Sequence, residues 1–305
     1  MSAKKKNYDI VTVGRIVSEK IYKNKEIIGP VLGGPPAYSV VTASKQNKKT
    51  GVVTKIGKDF PKNLLNIFKI NKIDTNGINT NDISTLTKLI YEKDGSKEIV
   101  YPSISSNISI NDVPNEYKNC KMVYVCTMED DVKIDDLKMI SKIGTYSAID
   151  LGGYGGVHMS IERRKKINNI TKFALEASKY FNFVKASDED CLKIFGTKDE
   201  KYYGSKLISK NTIASIITLG PKGCLITTKK NQFYFPSISK KIIDITGSGD
   251  SFMGGFLSEY LNTNELYESA KYGSAVASIL ISKTGGVSND RFPDEIAVRK
   301  ILTEL

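Results

Sequence analysis

The chain has 305 residues, 40% of them hydrophobic, enough for one large α/β domain or two smaller ones with a sizeable core. Its formal net charge is +12, but the lysines that supply it are scattered rather than gathered into a stripe, which argues against a nucleic-acid surface. Four cysteines without CxxC spacing and a single histidine, His158, argue against the usual zinc sites and against a Ser/His/Asp or Cys/His triad.

Residues 8–14 form an apolar, β-branched run that predicts a buried first strand ending at Gly14. Residues 16–32 alternate apolar positions with Lys and Glu, the pattern of one or two half-exposed strands. Gly33-Gly34-Pro35-Pro36 breaks the chain, and 37–46 has helical character, with proline suited to the first turn. A strand is expected at 51–56 and a helix at 61–71. Short alternating strands at 86–92 and 97–102 flank Asp94-Gly95, a strong hairpin signal. With 16–32 they predict a small separate sheet, drawn from two distant parts of the chain and lying over the main domain. Such a lid could exclude water from a reaction.

From residue 122 onward, strands and helices alternate. Strands are expected at 122–126, 146–151, 181–185 and 213–219, and helices at 132–143, 161–179, 188–195 and 201–209. A second hairpin spans 224–228 and 232–235 around Lys230-Asn231, and helices at 265–282 and 293–302 close the chain. This alternation predicts a mostly parallel sheet with helices on both faces and ligands outside the carboxyl ends of its strands. Gly152-Gly153-Tyr154-Gly155-Gly156 does not fit GxGxxG and reads as a flexible loop, and no Walker A pattern is present.

The stretch that carries chemistry is Ile242-Ile243-Asp244-Ile245-Thr246-Gly247-Ser248-Gly249-Asp250, followed by a helical pattern with Phe252, Phe256 and Leu257 on one face. The β-branched run predicts a strand. Gly247 and Gly249 allow a tight turn that points several N–H groups one way at a helix start, where the dipole favours an anion. Asp250 stands at that same end. Taken alone, Gly-Ser-Gly-Asp is no more than a helix cap. A carboxylate beside an anion hole is also what phosphoryl transfer to an alcohol requires. The hole stabilises charge on the phosphate and the carboxylate takes the hydroxyl proton.

The full run, Asp-x-Thr-Gly-Ser-Gly-Asp-x-Phe-x-Gly-Gly-Phe, resembles the signature of the ribokinase-like (pfkB) family of carbohydrate kinases. The resemblance extends from Val13 to Gly286. It implies one domain over residues 1–305, with a three-layer α/β/α fold, a mostly parallel central sheet and a discontinuous β lid from 16–32 and 86–102. It implies ATP and Mg2+ as cofactors, Gly247, Ser248 and Gly249 as the hole for the γ-phosphate, and Asp250 as the base. Thr218-Leu219-Gly220-Pro221-Lys222-Gly223 resembles the family's nucleotide loop, which puts Thr218, Gly220, Gly223 and Thr246 at the nucleotide. Gly33 and Gly34 match an early Gly-Gly at the sugar site. Glu19 stands where the family usually has an Asp that binds sugar hydroxyls, and Tyr38 where many sugar kinases carry Asn. Ser187-Asp188-Glu189-Asp190 occupies the place of an Asn-x-x-Glu motif that influences magnesium and phosphate binding. Asp190 could serve magnesium through water, or it could simply cap a helix. Asp244 and Thr246, with Thr284-Gly285-Gly286, resemble the parts that hold a monovalent cation in some members.

The Gly-Gly-x-x-x-Tyr spacing of Gly33, Gly34 and Tyr38, and the run Lys185-Ala186-Ser187, resemble the inositol kinase-like branch. A phosphorylated sugar would need clustered Arg or Lys, and only Arg15 lies near the proposed site. The expected acceptor is therefore a small neutral polyol or sugar, with myo-inositol the best guess. A nucleoside is the alternative, because Tyr38 could stack on a base. A non-catalytic sugar- or nucleotide-binding sensor competes, and Asp250 argues against it. The expected setting is the cytoplasm. Cys120, Cys126, Cys191 and Cys224 read as reduced and mostly buried, and residues 1–7 lack the apolar core of a signal peptide. No membrane or nucleic-acid partner is expected, and the lid offers a route to a homodimer.

Overall fold

The computed structural model describes residues 8–304 except 24–25, 92–96 and 198. The Asp94-Gly95 turn lies outside the described residues. The first part of the chain forms β1 (Ile10–Val13), β2 (Val17–Lys23), β3 (Glu26–Gly33), α1 (Pro35–Lys45), β4 (Thr50–Gly57), α2 (Asn66–Ile70), β5 (Asp74–Asp82), β6 (Leu86–Tyr91) and β7 (Lys97–Ser103). The second forms β8 (Cys120–Cys126), α3 (Ile134–Ile140), β9 (Gly144–Asp150), α4 (Ile161–Lys165), α5 (Ile170–Ser178), β10 (Phe183–Ser187), α6 (Asp188–Phe195), α7 (Glu200–Lys206) and β11 (Ala214–Thr218). It ends with β12 (Cys224–Thr227), β13 (Gln232–Phe235), α8 (Ser248–Thr263), α9 (Leu266–Leu280) and α10 (Glu295–Thr303).

Nine strands make the large sheet, in the order β13-β12-β11-β10-β9-β8-β1-β4-β5. Every pairing from β11 to β5 is parallel, and β12 and β13 add an antiparallel edge. Strand alternation divides the core between two faces. Val11, Val123, Val125 and Val184 pack with Leu137 of α3 and Ala174 and Ala177 of α5. Ile10, Met122, Tyr124 and Phe183 point the other way, against Met253, Phe256 and Leu257 of α8. Each such buried side chain contributes roughly 1.5–3 kcal/mol. The result is the expected three-layer α/β/α arrangement. On the α8 side, α1 lies close against α8: a Cβ at Gly254 would stand 2.8 Å from the Ser39 carbonyl.

A smaller sheet has the order β3-β2-β6-β7, with β2 and β6 parallel and the outer pairs antiparallel. Its strands come from the two distant segments expected from the sequence. Its inner part is less exposed than alternation suggested, since Ile16, Val17, Ile21 and Leu32 are buried. The Val287 N–H bonds to Leu32 O (3.0 Å), and the Tyr101 hydroxyl donates to His158 O (2.7 Å).

Four expectations need correction. β5, reading Asp-Thr-Asn-Gly-Ile-Asn-Thr-Asn-Asp, was not anticipated, because it is a polar edge strand in which only Gly77 is fully buried. The helix expected at 161–179 is two, since the Asn169 side chain accepts the Lys172 N–H (2.8 Å) and starts α5 anew. The run 242–245 is not a strand. Ile242, Ile243 and Ile245 are exposed, and the Ile243 and Asp244 N–H groups both bond to Ile281 O rather than to a neighbouring strand. The 152–156 loop is buried and packed, not loose: a Cβ at Gly153 would lie 1.9 Å from Glu129 O.

Candidate active site

α8 begins at Gly247, whose φ of 75° is left-handed. A Cβ there would lie 2.2 Å from the Tyr38 ring, so glycine is required by both backbone and space. Gly249, by contrast, sits inside the first helical turn, and a Cβ on it would stand 3.3 Å from Lys185 Nζ. Thr246 N–H bonds to Asp244 Oδ1 (2.9 Å), which sets the turn leading into Gly247. The first turn of a helix offers N–H groups without intrahelical acceptors and a partial positive charge.

A cavity of about 420 Å³ opens in front of this turn, a size suited to a small ligand. It gathers Gly247, Ser248, Gly249 and Asp250 with Asp190, Thr218, Gly220 and Gly223, all singled out from the sequence. Beyond the turn its wall becomes apolar, with Pro221, Ile242, Ile245, Ala277 and Ile281. The exposed isoleucines of the 242–245 run thus line the cavity in part. Gly220 has φ +54° with open space at its Cβ position, so backbone can approach a ligand there. Gly223 is glycine for a different reason, because a Cβ would strike Phe235 O at 2.0 Å across the hairpin.

Three cavity or near-cavity residues were missed as site residues. Lys185 follows Phe183 on the α8 face of β10 and is 5% exposed. Its ammonium pairs with Asp150 at 2.7 Å, and Asp150 Oδ1 also accepts the Gly152 N–H (2.7 Å). Burial pulls the Lys185 pKa down, but the carboxylates of Asp150, Asp190 and Asp250 outweigh it and leave it raised, so the ammonium stays charged. A lysine inside the apolar strand Phe-Val-Lys-Ala-Ser was the available signal. His158, set aside on sequence grounds, lines the cavity, and its Nδ1 has no partner among the described residues.

Asp190 caps α6. Its Oδ2 accepts the Ser187 N–H (2.7 Å) and its Oδ1 the Val157 N–H (2.8 Å). Burial pushes its pKa up, yet Lys185, His158 and these N–H groups bring it below the usual carboxylate range. Among the described residues there is no cluster of three or more His, Cys, Asp and Glu able to cage a metal ion.

Glu19, Gly33, Gly34 and Tyr38 do not line this cavity; they form a neighbouring cluster at the lid. Glu19 is buried on β2, accepts the Thr87 hydroxyl (3.1 Å), and has its Oε1 3.2 Å from where a Gly33 Cβ would be. Gly34, at φ +93°, leaves no room for a Cβ, which would meet Arg15 O at 2.4 Å. The Tyr38 ring lies against Gly247, and its hydroxyl has no partner among the described residues. Burial, and behind it the Glu19 carboxylate, pushes the Tyr38 pKa well above the usual phenol range. α1 joins the two clusters, because the Ser39 hydroxyl reaches Asp250 O at 3.2 Å. Arg15 is committed elsewhere: it pairs with Asp131 (2.8 Å) and donates to Ser105 O (2.7 Å).

Asp244 and Thr246 also lie outside the cavity lining. Asp244 Oδ2 accepts the Gly285 N–H (3.1 Å), and Arg291 reaches the same place, donating to Asp244 O (2.8 Å) and to Gly285 O.

Residues 16–291 match the family described as pfkB family carbohydrate kinase. The chain belongs to that family. As a pfkB kinase it is an ATP-dependent enzyme that phosphorylates a carbohydrate or nucleoside. Cytidine kinase of Thermococcus kodakarensis is 26% identical over 284 residues, covering 91% of this chain and 97% of that protein. The nucleoside kinase structure of Methanocaldococcus jannaschii superposes with a TM-score of 0.74 at 22% identity, covering 97% of this kinase and 99% of that chain. A pyrophosphate-dependent kinase of the ribokinase family, solved with a pyrophosphate analogue and myo-inositol, gives 0.79 at 15% identity, covering 92% and 98%. The two structures share its fold.

Proposed function

We propose that this kinase transfers the γ-phosphate of Mg-ATP to a hydroxyl of a small neutral polyol or sugar, with myo-inositol the best single candidate. The observation that carries the reading is the left-handed Gly247 turn at the start of α8, with Asp250 on the wall of the same cavity. In this reading the turn Gly247-Ser248-Gly249 holds charge developing on the phosphate, through the Gly247 and Gly249 N–H groups while the Ser248 N–H donates to Ile245 O (3.1 Å), and Asp250 accepts the hydroxyl proton. Thr218, Gly220 and Gly223 belong to the nucleotide side, and Thr246, outside the cavity lining, serves it through the turn into Gly247. The apolar slot at Pro221, Ile242, Ala277 and Ile281 suits a purine ring and supports a nucleotide donor over bare pyrophosphate.

Magnesium fits as an ion carried in on the donor's phosphates rather than caged by the protein. Bound there, it would neutralise charge on the β- and γ-phosphates. Asp190 spends both oxygens on N–H groups, so its share is an outer one, through water.

Glu19, Gly33 and Gly34 face the acceptor in this proposal, with Tyr38 buried behind them against Gly247. Arg15 is tied to Asp131, which supports a neutral acceptor over a phosphorylated one. A nucleoside acceptor is the second reading, favoured by the cytidine kinase and nucleoside kinase relatives. The burial of Tyr38 removes the base-stacking surface on which that reading leaned. The small sheet acts as the lid of a single domain. Its edge strand β3 exposes Ile27 and Ile28, a surface that a second copy could cover in a homodimer; a monomer by sedimentation velocity would refute that part. Four free, buried cysteines suit a reducing cytoplasm. No helix among the described residues is long and apolar enough to cross a membrane.

The deciding experiment measures ADP release from Mg-ATP across polyols, sugars, sugar phosphates and nucleosides. Preference for myo-inositol or a similar neutral polyol is expected. A clear preference for cytidine, adenosine or guanosine transfers the proposal to the second reading. No acceptor-dependent ADP release with any of them overturns the catalytic reading.

A further inference from the structure

The monovalent cation expected beside Asp244 does not fit this chain. Arg291 is entirely buried, and its guanidinium fills the place where the oxygens converge. It donates to Asp244 O at 2.8 Å and to Gly285 O, and stands 3.6 Å from Asp244 Oδ2. Two carbonyls and a carboxylate are an oxygen set that a bare monovalent cation would need. Here the two carbonyls accept from the guanidinium, the carboxylate accepts the Gly285 and Thr246 N–H groups and pairs with the same fixed positive charge, and a second cation would be repelled at contact distance.

We propose that Arg291 takes the place of that cation, so that this kinase is indifferent to potassium. The chain of contacts runs to the anion hole. Arg291 neutralises Asp244 and holds its carbonyl, and Asp244 Oδ1 fixes the Thr246 N–H (2.9 Å), one residue before Gly247. On its other side the guanidinium lies 6.0 Å from the centre of the Tyr38 ring, and that ring supports Gly247. Arg291 is thus a positioning residue that touches neither donor nor acceptor. A cation in this place could be exchanged with solvent, whereas a guanidinium on the chain cannot. Its Nε has no partner among the described residues, a cost that the bonds of the two terminal nitrogens must offset.

The inference rests on the anion hole at 247–250 and not on the identity of the acceptor. Its test compares tetramethylammonium chloride with potassium chloride at constant ionic strength, using the acceptor found best in the panel. Wild-type kcat and melting temperature should be the same in both salts. Arg291→Met should lose about 10²-fold in kcat in tetramethylammonium, the scale of an ångström-sized misplacement, and regain part of it with potassium. Its melting temperature, measured without nucleotide or acceptor, should rise with potassium while that of wild type does not. The melting comparison needs no turnover, so failure of the acceptor panel leaves it standing. Potassium activation or stabilisation of the wild type overturns the proposal. So does an Arg291→Met variant that is crippled yet indifferent to potassium, because Arg291 would then be a plain structural strut. If Arg291→Met does not fold, Arg291→Gln carries the same comparison and the wild-type arm still decides.

Discussion

Gly247→Ala tests how the proposed anion hole is built. The position has φ 75°, and an L-residue in the left-handed region costs about 1–2 kcal/mol. The new Cβ would also stand 2.2 Å from Tyr38 Cδ1 and Cε1, well inside contact distance. Moving a buried ring out of the way costs about 1–3 kcal/mol more. The expected loss is therefore about 2–5 kcal/mol, a large share of the roughly 5–15 kcal/mol that holds a domain folded. Tyr38→Ala separates the two contributions. On its own it leaves a cavity worth about 3–5 kcal/mol, but in its background the ring is gone and Gly247→Ala should cost only the backbone part, about 1–2 kcal/mol. Denaturant unfolding of the four proteins, followed by circular dichroism, measures the coupling, expected at about 1–3 kcal/mol. Turnover of Gly247→Ala should fall by about 10²-fold as the turn shifts. An equal penalty with and without the Tyr38 ring would refute the contact, and unchanged turnover would refute the role of the turn.

Asp250→Asn keeps shape but removes proton acceptance, so kcat should drop by about two to four decades with ATP affinity kept; near-normal turnover would sink the base assignment. Lys185→Met leaves Asp150 buried without its counter-charge and should destabilise the fold by about 3–5 kcal/mol, with Asp150→Asn restoring part of the loss; a melting temperature unmoved by Lys185→Met would dismiss the pair. Burial pushes Asp131 up to about 6 against the pull of Arg15, so the native chain holds this proton more tightly than the unfolded one. Between pH 6 and roughly 4 this group adds stability as the pH falls, and Asp131→Asn should remove that part of the melting-temperature profile; an unaltered profile contradicts it. Saturating acceptor and nucleotide should slow amide exchange in β2, β3, β6 and β7, and unchanged exchange would reject a closing lid.

What the sequence made legible follows from how locally each feature is encoded. The buried strands β1 and β11 are short runs rich in β-branched residues, and β8 and β10 are short, mostly apolar ones. The small sheet was legible because β2 and β6, though far apart in the chain, carry the same alternation. The start of α8 was legible because its turn needs glycine and its first turn carries Asp250. β5 was lost because an edge strand can be polar on both faces and is held by β4 rather than by its own composition. The run Ile242-Ile243-Asp244-Ile245 misled for the opposite reason. It has the composition of a core strand, but no strand lies beside it to pair with, and its isoleucines turn partly to the cavity instead. The Lys185–Asp150 and Arg291–Asp244 pairs could not be read at all, since each joins residues brought together only by the sheet and the closing loops.

Those unread pairs explain why the site has acids without having a metal cage. Around the proposed anion hole stand three carboxylates, Asp150, Asp190 and Asp250, and one ammonium, Lys185. Counted formally, three negative charges and one positive leave two negative. The donor's phosphates would add more, at a helix end whose partial charge is only about +0.5. Asp150 is held by Lys185 and Gly152, and Asp190 by the Ser187 and Val157 N–H groups. Of the three, Asp250 alone stands in the first turn of α8, beside the turn that would hold the phosphate. In the proposed mechanism the positive charge needed to bring an anionic donor against it would arrive with the donor, as magnesium on the phosphates. On the far side of the turn, Arg291 neutralises Asp244 from within the chain. In the proposed mechanism one positive charge thus comes in on the substrate and the other is built into the protein.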